Sequence, residues 1–161
     1  MRLFIFTLII ITFNACYSFR GIFIGDEETF YVETFDLRSP DAPPTVGVTF
    51  RDELVDKVRN NSRLNYVDKD PDLEFSGTIT RYTVSPIAPE PGERSAINRL
   101  DITVEVDFVN NLVEENSWKQ NFSFFFDFDS DINLLDIQDT AIEAINEQLM
   151  EDIFNKAFTN W

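Results

Sequence analysis

The feature that most constrains the fold is an alternation of polar and apolar side chains in the segment Arg99–Val109, which is unbroken from Arg99 to Phe108. The apolar positions of this segment are Leu100, Ile102, Val104, Val106 and Phe108. Because successive side chains of a strand point to opposite faces, the pattern predicts a long strand with one buried and one solvated face. A chain built around such a strand must supply a second layer that covers the apolar face.

Four other segments predict strands. The longest are Leu73–Val84 and Trp118–Phe128, in which apolar or aromatic residues recur at alternate positions. Thr29–Leu37 is rich in aromatic and β-branched residues, and Leu64–Val67 is a short strand or an extended edge. The aromatic side chains of the segment ending at Phe128 are expected mainly in the core. A contact surface for a partner is the alternative for them.

Two segments, Thr45–Asn60 and Leu134–Thr159, have the period of amphipathic helices. The predicted buried stripe of the second helix consists of Ile142, Ile145, Leu149 and Ile153. The element order is therefore β-α-β-β-β-β-α. It predicts an α+β fold, with a mostly antiparallel four- to five-stranded sheet and two amphipathic helices packed on one face.

The N-terminus has the layout of a bacterial export signal. A short positive start precedes the apolar run Leu3–Phe13, and Cys16 follows almost directly. The run is too short to span a bilayer, for which about 20 residues are needed. We therefore expect residues 1–15 to be a lipoprotein signal peptide and Cys16 to be acylated. Residues 16–28 then form a lipidated tether, and residues 29–161 form a single domain.

Composition excludes several classes of function. The chain has 29 acidic and 13 basic side chains, a net charge of −16, so binding to nucleic acid is not expected. It has no histidine and one cysteine, which excludes a histidine-based catalytic relay, a zinc cluster and an internal disulfide. A hydrolase that uses paired carboxylates is a minor alternative. We predict a protein that is not an enzyme and uses no metal and no cofactor.

Basic residues are scarce, so their grouping is informative. Arg81, Arg94 and Arg99 lie on or beside one predicted hairpin, where they would bind a phosphorylated ligand if they converge. The alternative is that they are scattered surface arginines paired with neighbouring acids. Phe125 and Tyr82 are candidate aromatic anchors for a protein partner.

Four stretches together carry a resemblance to a known family. They are Cys16–Phe19, Leu73–Val84, Asn98–Val104 and Glu151–Trp161, and they span nearly the whole chain after the signal peptide. Their order and spacing resemble the LptE lipopolysaccharide-assembly lipoproteins, in particular the Bacteroidetes branch. The resemblance implies a sheet with two helices packed on it, in agreement with the periodicity.

The resemblance also implies a function and a place in the cell. Such a lipoprotein is anchored in the outer membrane through acylated Cys16, faces the periplasm or a barrel lumen, and plugs and supports assembly of the LptD β-barrel translocon. Family members contact lipopolysaccharide through basic residues, for which Arg94 and Arg99 are the candidates here. The implied partners are therefore an LptD-like barrel and lipopolysaccharide. The alternative is a free-standing envelope lipoprotein that binds a small apolar or cationic ligand.

Substitution of the cysteine tests the anchor. We expect Cys16→Ala to leave the protein unprocessed or mislocalised, because the thiol is the acceptor for the lipid. Fractionation of cell envelopes after labelling with a fatty acid measures this, with Ser18→Ala as the control. Normal membrane attachment of Cys16→Ala would favour one of two alternatives, a hydrophobic strand with a buried free cysteine or an ordinary signal peptide cut elsewhere.

Overall fold

The computed structural model describes residues 25–88 and 96–159 of the 161-residue chain. Its strands are β1 (Thr29–Val32), β2 (Asp36–Leu37), β3 (Asn65–Tyr66), β4 (Leu73–Ile87), β5 (Ile97–Asn110) and β6 (Trp118–Asp129). Its helices are α1 (Val46–Asn61) and α2 (Leu134–Phe158), and a short 3-10 turn (Glu114–Asn116) precedes β6. The predictions made for Cys16 and Arg94 concern residues outside these ranges.

The described strands form one six-stranded sheet in the order β3-β1-β4-β5-β6, with β2 also paired to β4. The long strands β4, β5 and β6 are antiparallel, whereas β1 and β2 run parallel to β4 and β1 runs parallel to β3. The α+β class predicted from the sequence is confirmed. The predicted number of strands is too low, because the segment Thr29–Leu37 forms two short strands instead of one.

The interruption between β1 and β2 has a packing reason. Val32 pairs with Phe75 and Asp36 pairs with Thr78. The segment that joins β1 to β2 therefore has one more residue than the facing segment of β4. The extra residue lets Phe35 leave the ladder and become buried in the core. Burial of this one ring therefore accounts for the division of the predicted strand.

Two glycines make room for Phe35. A Cβ at Gly77 would lie 2.6 Å from the Phe35 ring and 2.2 Å from the carbonyl oxygen of Glu105. A Cβ at Gly47, in the first turn of α1, would lie 2.2 Å from the carbonyl oxygen of Phe35. Both positions are far inside van der Waals contact. The helix and the sheet can therefore approach this ring so closely only because both residues lack a side chain.

Both helices cover one face of the sheet, which we call the inner face. The predicted apolar face of β5 is buried there, as confirmed by Leu100, Ile102, Val104, Val106 and Phe108. α2 packs against β5 and β6, and α1 packs against β1, β3 and α2. The predicted stripe on α2 from Ile142 to Ile153 is also buried. These side chains belong to one hydrophobic core.

The aromatic side chains of β6 are mainly part of this core. Phe122 and Phe128 are buried, and Trp118, Phe124 and Phe126 are half-buried against them. The rings of Trp118 and Phe122 meet edge to face with their centroids 5.8 Å apart. The prediction that the alternating aromatic residues of this strand belong mainly to the core is confirmed.

A β-bulge in β4 reverses the pattern of its second half. Ile79 and Arg81 pair with consecutive residues of β5, so Thr80 is the extra residue. Tyr82 therefore points to the inner face, where it is 2% exposed. Its hydroxyl accepts a hydrogen bond from Gln138 Nε2 at 2.9 Å. The prediction of Tyr82 as an exposed anchor is wrong, because strict alternation does not anticipate the bulge.

The contact between α1 and α2 is partly polar. Lys57 forms an ion pair with Glu151 that lowers the pKa of the carboxyl, and it lies 5.7 Å from the centre of the Phe154 ring. Asn146 is fully buried between the helices, and its amide atoms find no hydrogen-bond partner in the described residues. Burial raises the pKa of Glu53 on the neighbouring α1. This contact is therefore weaker than an apolar one of the same size.

Asp72 fastens the start of β1 to the start of β4. Its Oδ2 atom accepts hydrogen bonds from Glu28 N at 2.9 Å, Thr29 N at 2.9 Å and Thr29 Oγ1 at 2.8 Å. The Thr29 hydroxyl in turn accepts a hydrogen bond from Asp72 N at 3.0 Å. These donors, of which Glu28 N has the largest effect, lower the pKa of Asp72.

We expect Asp72→Ala to lower the free energy of unfolding by about 1–2 kcal/mol, because the carboxylate can no longer accept these bonds. Since the pKa of Asp72 is lowered in the folded state, its contribution is present above the ordinary aspartate pKa. It is lost as the pH falls through the lowered value. Urea unfolding at neutral and acidic pH measures both effects. Asp68→Ala, which removes an exposed acid from the same turn, is the control, and an equal loss in both variants would contradict this role.

Candidate functional site

The candidate site lies on the face of β4, β5 and β6 that points away from the helices, which we call the outer face. Its central part has three cross-strand rows, which are Ser85, Arg99 and Asp127; Thr83, Asp101 and Phe125; and Arg81, Thr103 and Ser123. The pleat that buries apolar side chains on the inner face places these polar ones outside. Phe125 is the apolar exception, and it is 41% exposed.

Arg99 lies on the middle one of these three strands, near the start of β5. Its Nε atom donates to Asp127 Oδ1 at 2.6 Å, and its Nη2 atom donates to Asp127 Oδ2 at 2.8 Å. The guanidinium carbon also lies 3.5 Å from the centroid of the Phe125 ring. The hydrogen bonds between the two side chains raise the pKa of Arg99 and lower the pKa of Asp127. The guanidinium is therefore held by two planar contacts at once, which fixes its orientation.

This arrangement follows from the register of β5 and β6. Arg99 and Asp127 are directly opposite each other, and Phe125 is the diagonal neighbour of Arg99 on the same face. The register itself is set by the inner face, where Leu100 lies opposite Phe126. A slip by one residue would move these side chains to the other face. The core therefore determines which outer side chains meet.

The sequence identified Arg99 and Phe125 as candidates but did not connect them. The structure brings them together and adds Asp127, which sequence reasoning missed as the partner of Arg99. Aligning the apolar positions of the two strands would have found it, because that alignment sets Arg99 opposite Asp127.

The two predicted basic residues that the structure describes, Arg81 and Arg99, do not lie together. Arg81 is on the outer face, but it pairs with Thr103, four residues along β5 from Arg99. This spacing corresponds to about 13 Å along the strand. Arg94 lies outside the described residues. For Arg99, the alternative prediction of a surface arginine paired with a neighbouring acid describes what is found.

A second group of charges on the outer face is also compensated. Lys119 Nζ lies 3.1 Å from Glu105 Oε1 and 3.6 Å from Asp107 Oδ2, and these acids raise the pKa of Lys119. Across residues 25–88 and 96–159, no group of three or more Asp, Glu or Cys side chains is placed to hold a metal ion. The outer face is therefore a mainly polar surface suited to docking against another polar surface.

A separate cleft opens at the end of the sheet beside Asp127. It has a volume of about 310 Å³, and its apolar walls are formed by Ile97, Phe126, Phe128, Ile132 and Ile137. Leu135, in the first turn of α2, is 73% exposed. Asn133 begins this helix by accepting a hydrogen bond from Leu135 N at 3.1 Å. A cleft of this size and character would suit a small apolar group.

Comparison with known families shows which family the chain belongs to. The model of the lipopolysaccharide-assembly family LptE matches residues 28–157. The chain belongs to the LptE family. It is therefore a lipoprotein of lipopolysaccharide assembly, from a family that is not enzymatic. No curated protein matches the sequence of this LptE-family chain. Neither helix in the described part of the chain combines the length and apolar character needed to cross a bilayer.

Solved structures share the fold of this LptE-family chain at low sequence identity. A minor lipoprotein from Acinetobacter baumannii has a TM-score of 0.53 at 9% identity, covering 81% of this chain and 91% of that chain. A putative neuraminyllactose-binding hemagglutinin homolog from Helicobacter pylori has a TM-score of 0.54 at 10% identity, covering 89% and 90%. Lipoprotein B from Nitrosomonas europaea, an uncharacterized protein, has a TM-score of 0.51 at 11% identity, covering 83% and 88%. These similarities concern the fold alone.

Replacement of the arginine tests the electrostatics of the outer face. We expect Arg99→Gln to raise the pKa of Asp127, because the hydrogen bonds and the charge that lower it are removed. The contribution of the pair to stability is present above the ordinary aspartate pKa and fades as the pH falls through the lowered value. Carbon-13 NMR titration of the carboxyl groups measures the change.

The matched control is Arg59→Gln, which removes an exposed arginine of α1 whose nearest acid, Asp56, lies 3.8 Å away. This variant should leave the titration of Asp127 unchanged. If Asp127 titrates identically in both variants, the pairing with Arg99 does not exist in solution.

Proposed function

We propose that this chain plugs an LptD-like β-barrel and supports its assembly as the translocon that delivers lipopolysaccharide to the cell surface. The family match over residues 28–157 is the observation that carries the proposal. Residues 1–15 are then the signal peptide, Cys16 is the acylated anchor in the outer membrane, and residues 16–28 are the tether. The domain at 29–161 faces the periplasm or the barrel lumen.

The geometry of the outer face supports a plug. The lumen of an outer-membrane barrel is polar, and the outer face presents polar side chains that include the compensated pair of Arg99 and Asp127. Exposed Phe125 provides an aromatic anchor on the edge strand β6, beside Arg99. The helices close the inner face, so the outer face is the side of the three long strands available for contact.

The net charge explains the need for a lipid anchor. Cleavage before Cys16 removes Arg2, so the charge becomes 12 − 29 = −17. Anionic lipid headgroups repel such a surface. Acyl chains contribute about 0.8 kcal/mol for each buried CH₂ group, which is sufficient to hold the protein at the membrane without electrostatic attraction.

Direct contact with lipopolysaccharide is the secondary part of the proposal. Arg94 and Arg99 are the candidate residues for its phosphate groups. A phosphate that binds Arg99 must displace Asp127 from both of its hydrogen bonds, and Asp101 beside it repels the same group. We therefore assign Arg99 first to the surface that contacts the barrel. Binding of lipid A phosphate is then a weaker role.

One observation favours a second candidate function, a free-standing envelope lipoprotein with a small apolar ligand. The cleft of about 310 Å³ at the end of the sheet is lined mainly by apolar side chains. Native mass spectrometry of the protein extracted in mild detergent tests this. A retained small molecule that is lost in Ile137→Asp would support this function over the plug.

The main experiment is an affinity purification of the C-terminally tagged chain from detergent-solubilised envelopes. We expect one large outer-membrane barrel in near-equal amount. We expect Phe125→Ser to weaken the complex by about tenfold, because an anchor at an interface contributes on the order of 1–2 kcal/mol. Mass spectrometry and quantitative gel analysis measure the recovery.

Val48→Ser is the control, because Val48 is also an exposed apolar residue, at 47%, but lies on α1 and not on the outer face. Equal losses in the two variants would remove the outer face from the interface. Recovery of no barrel in the unmodified protein would refute the plug itself.

A further inference from the structure

Strand β6 is one edge of the sheet and has no neighbour on its far side among the described residues. It has 12 residues, whereas β3 at the opposite edge has two. Between Lys119 and Asp127 the strand contains no charge, proline or glycine, and its pairing with β5 has no bulge. Charged residues, prolines and bulges normally protect an edge from other strands, and this part of β6 has none of them. The edge is therefore open to a further strand.

The register shows which backbone groups this edge presents. Ser130 N donates to Ala96 O at 3.0 Å, one step beyond the β5–β6 ladder. Because antiparallel pairs alternate in hydrogen-bonding direction, the even-numbered residues of β6 bond to β5. The odd-numbered residues direct their N–H and C=O groups outward. From Lys119 to Asp127, these outward groups form no hydrogen bond within the described part of the chain.

We propose that β6 pairs with β6 of a second copy of this chain, antiparallel and around a two-fold axis at Ser123. Ser123 then faces Ser123 of the second copy, and Asn121 faces Phe125 of the second copy. All the outward groups from Lys119 to Asp127 acquire partners in this ladder. A two-fold contact of this kind uses the same surface on both copies and closes on itself.

The charges of the strand select this partner. With the axis at Ser123, Lys119 falls opposite Asp127 of the second copy at both ends of the ladder, and no like charges are opposed. Opposite charges in directly facing positions stabilise a strand pair. The Lys119 ammonium group lies 3.1 Å from Glu105 Oε1 and 3.6 Å from Asp107 Oδ2, and its side chain is 56% exposed. In the dimer it would bridge these acids of its own copy and Asp127 of the second copy, while Asp127 keeps its hydrogen bonds to Arg99. The edge is thus complementary to itself.

The pairing also covers side chains on the inner face of β6. Phe124 is half-buried and borders an open groove of about 340 Å³, whose other walls are Lys57 of α1 and Ala144, Glu147, Gln148 and Glu151 of α2. In the proposed register Phe124 faces Phe122 of the second copy. Pairing therefore covers aromatic surface in addition to satisfying the backbone.

This dimer is a form that protects the edge before the chain meets its partner, since an open edge otherwise templates aggregation. The inference does not depend on the proposed function. Self-pairing is measured by the mass of the complex that the isolated protein forms. The plug is tested separately by recovery of a barrel from envelopes.

Cysteine cross-linking tests the register. We expect full-length Ser123→Cys, purified in mild detergent without other proteins, to form a disulfide-linked dimer under mild oxidation. In Asn121→Cys the two thiols would lie four residues apart along the ladder, about 13 Å, which is beyond disulfide reach. The unmodified chain under the same oxidant accounts for any contribution of Cys16.

Charge reversal tests the end pairs. Lys119→Glu places like charges opposite each other at both ends, so we expect the dimer to dissociate with a Kd about tenfold higher. Lys69→Glu changes the net charge equally but lies in the exposed turn between β3 and β4, and it should leave the Kd near that of the unmodified chain. Sedimentation equilibrium at about 0.15 M salt, where long-range repulsion is screened, measures both.

Three results would overturn the inference. Equal cross-linking of the two cysteine variants would exclude the axis at Ser123, and a monomer at all concentrations would exclude pairing altogether. Cross-linking of Ser123→Cys in envelopes to a different polypeptide, with none to a second copy, would assign the edge to that partner instead.

Discussion

The fold depends on the pairing of β5 with a long strand on each side. Its alternation gives the sheet one apolar and one polar face, and the apolar side chains from Leu100 to Phe108 require a cover that no single strand can supply. Both helices and the buried ring of Phe35 provide that cover. The same pairing fixes the outer face, because residues that are buried on one side determine which residues meet on the other.

Much of this architecture could be predicted from the sequence, because period is a local property. The alternation of β5 and the stripe from Ile142 to Ile153 each predict an element and its buried side without reference to the rest of the chain. The division of β1 from β2 and the bulge at Thr80 could not be predicted in this way. Each results from a single extra residue, which can be recognised only when the strand is aligned with its partner strand. The bulge is the reason that Tyr82 is buried.

The candidate site was predicted in part for a related reason. Arg99 could be singled out because cations are rare in this chain. Phe125 could be singled out because it is an aromatic residue on the face opposite to Phe124 and Phe126. Their contact with Asp127 depends on the register of two strands that are separated by a turn. In an acidic chain, nearly any arginine has an acid close in sequence, so proximity along the chain does not identify the partner. The partner is identified by the register in which the apolar side chains of the two inner faces meet.

A compensated outer face has consequences for the kind of binding it supports. A transient site for phosphate would keep its guanidinium available, whereas Arg99 holds Asp127 by two hydrogen bonds and covers Phe125. A phosphate that binds Arg99 must replace both of these hydrogen bonds, and the displaced carboxylate stays nearby and repels it. A partner that leaves the pair intact and packs around it meets no such penalty. The chemistry of the face therefore favours contact with a partner by shape and polarity over capture of an anionic ligand by charge.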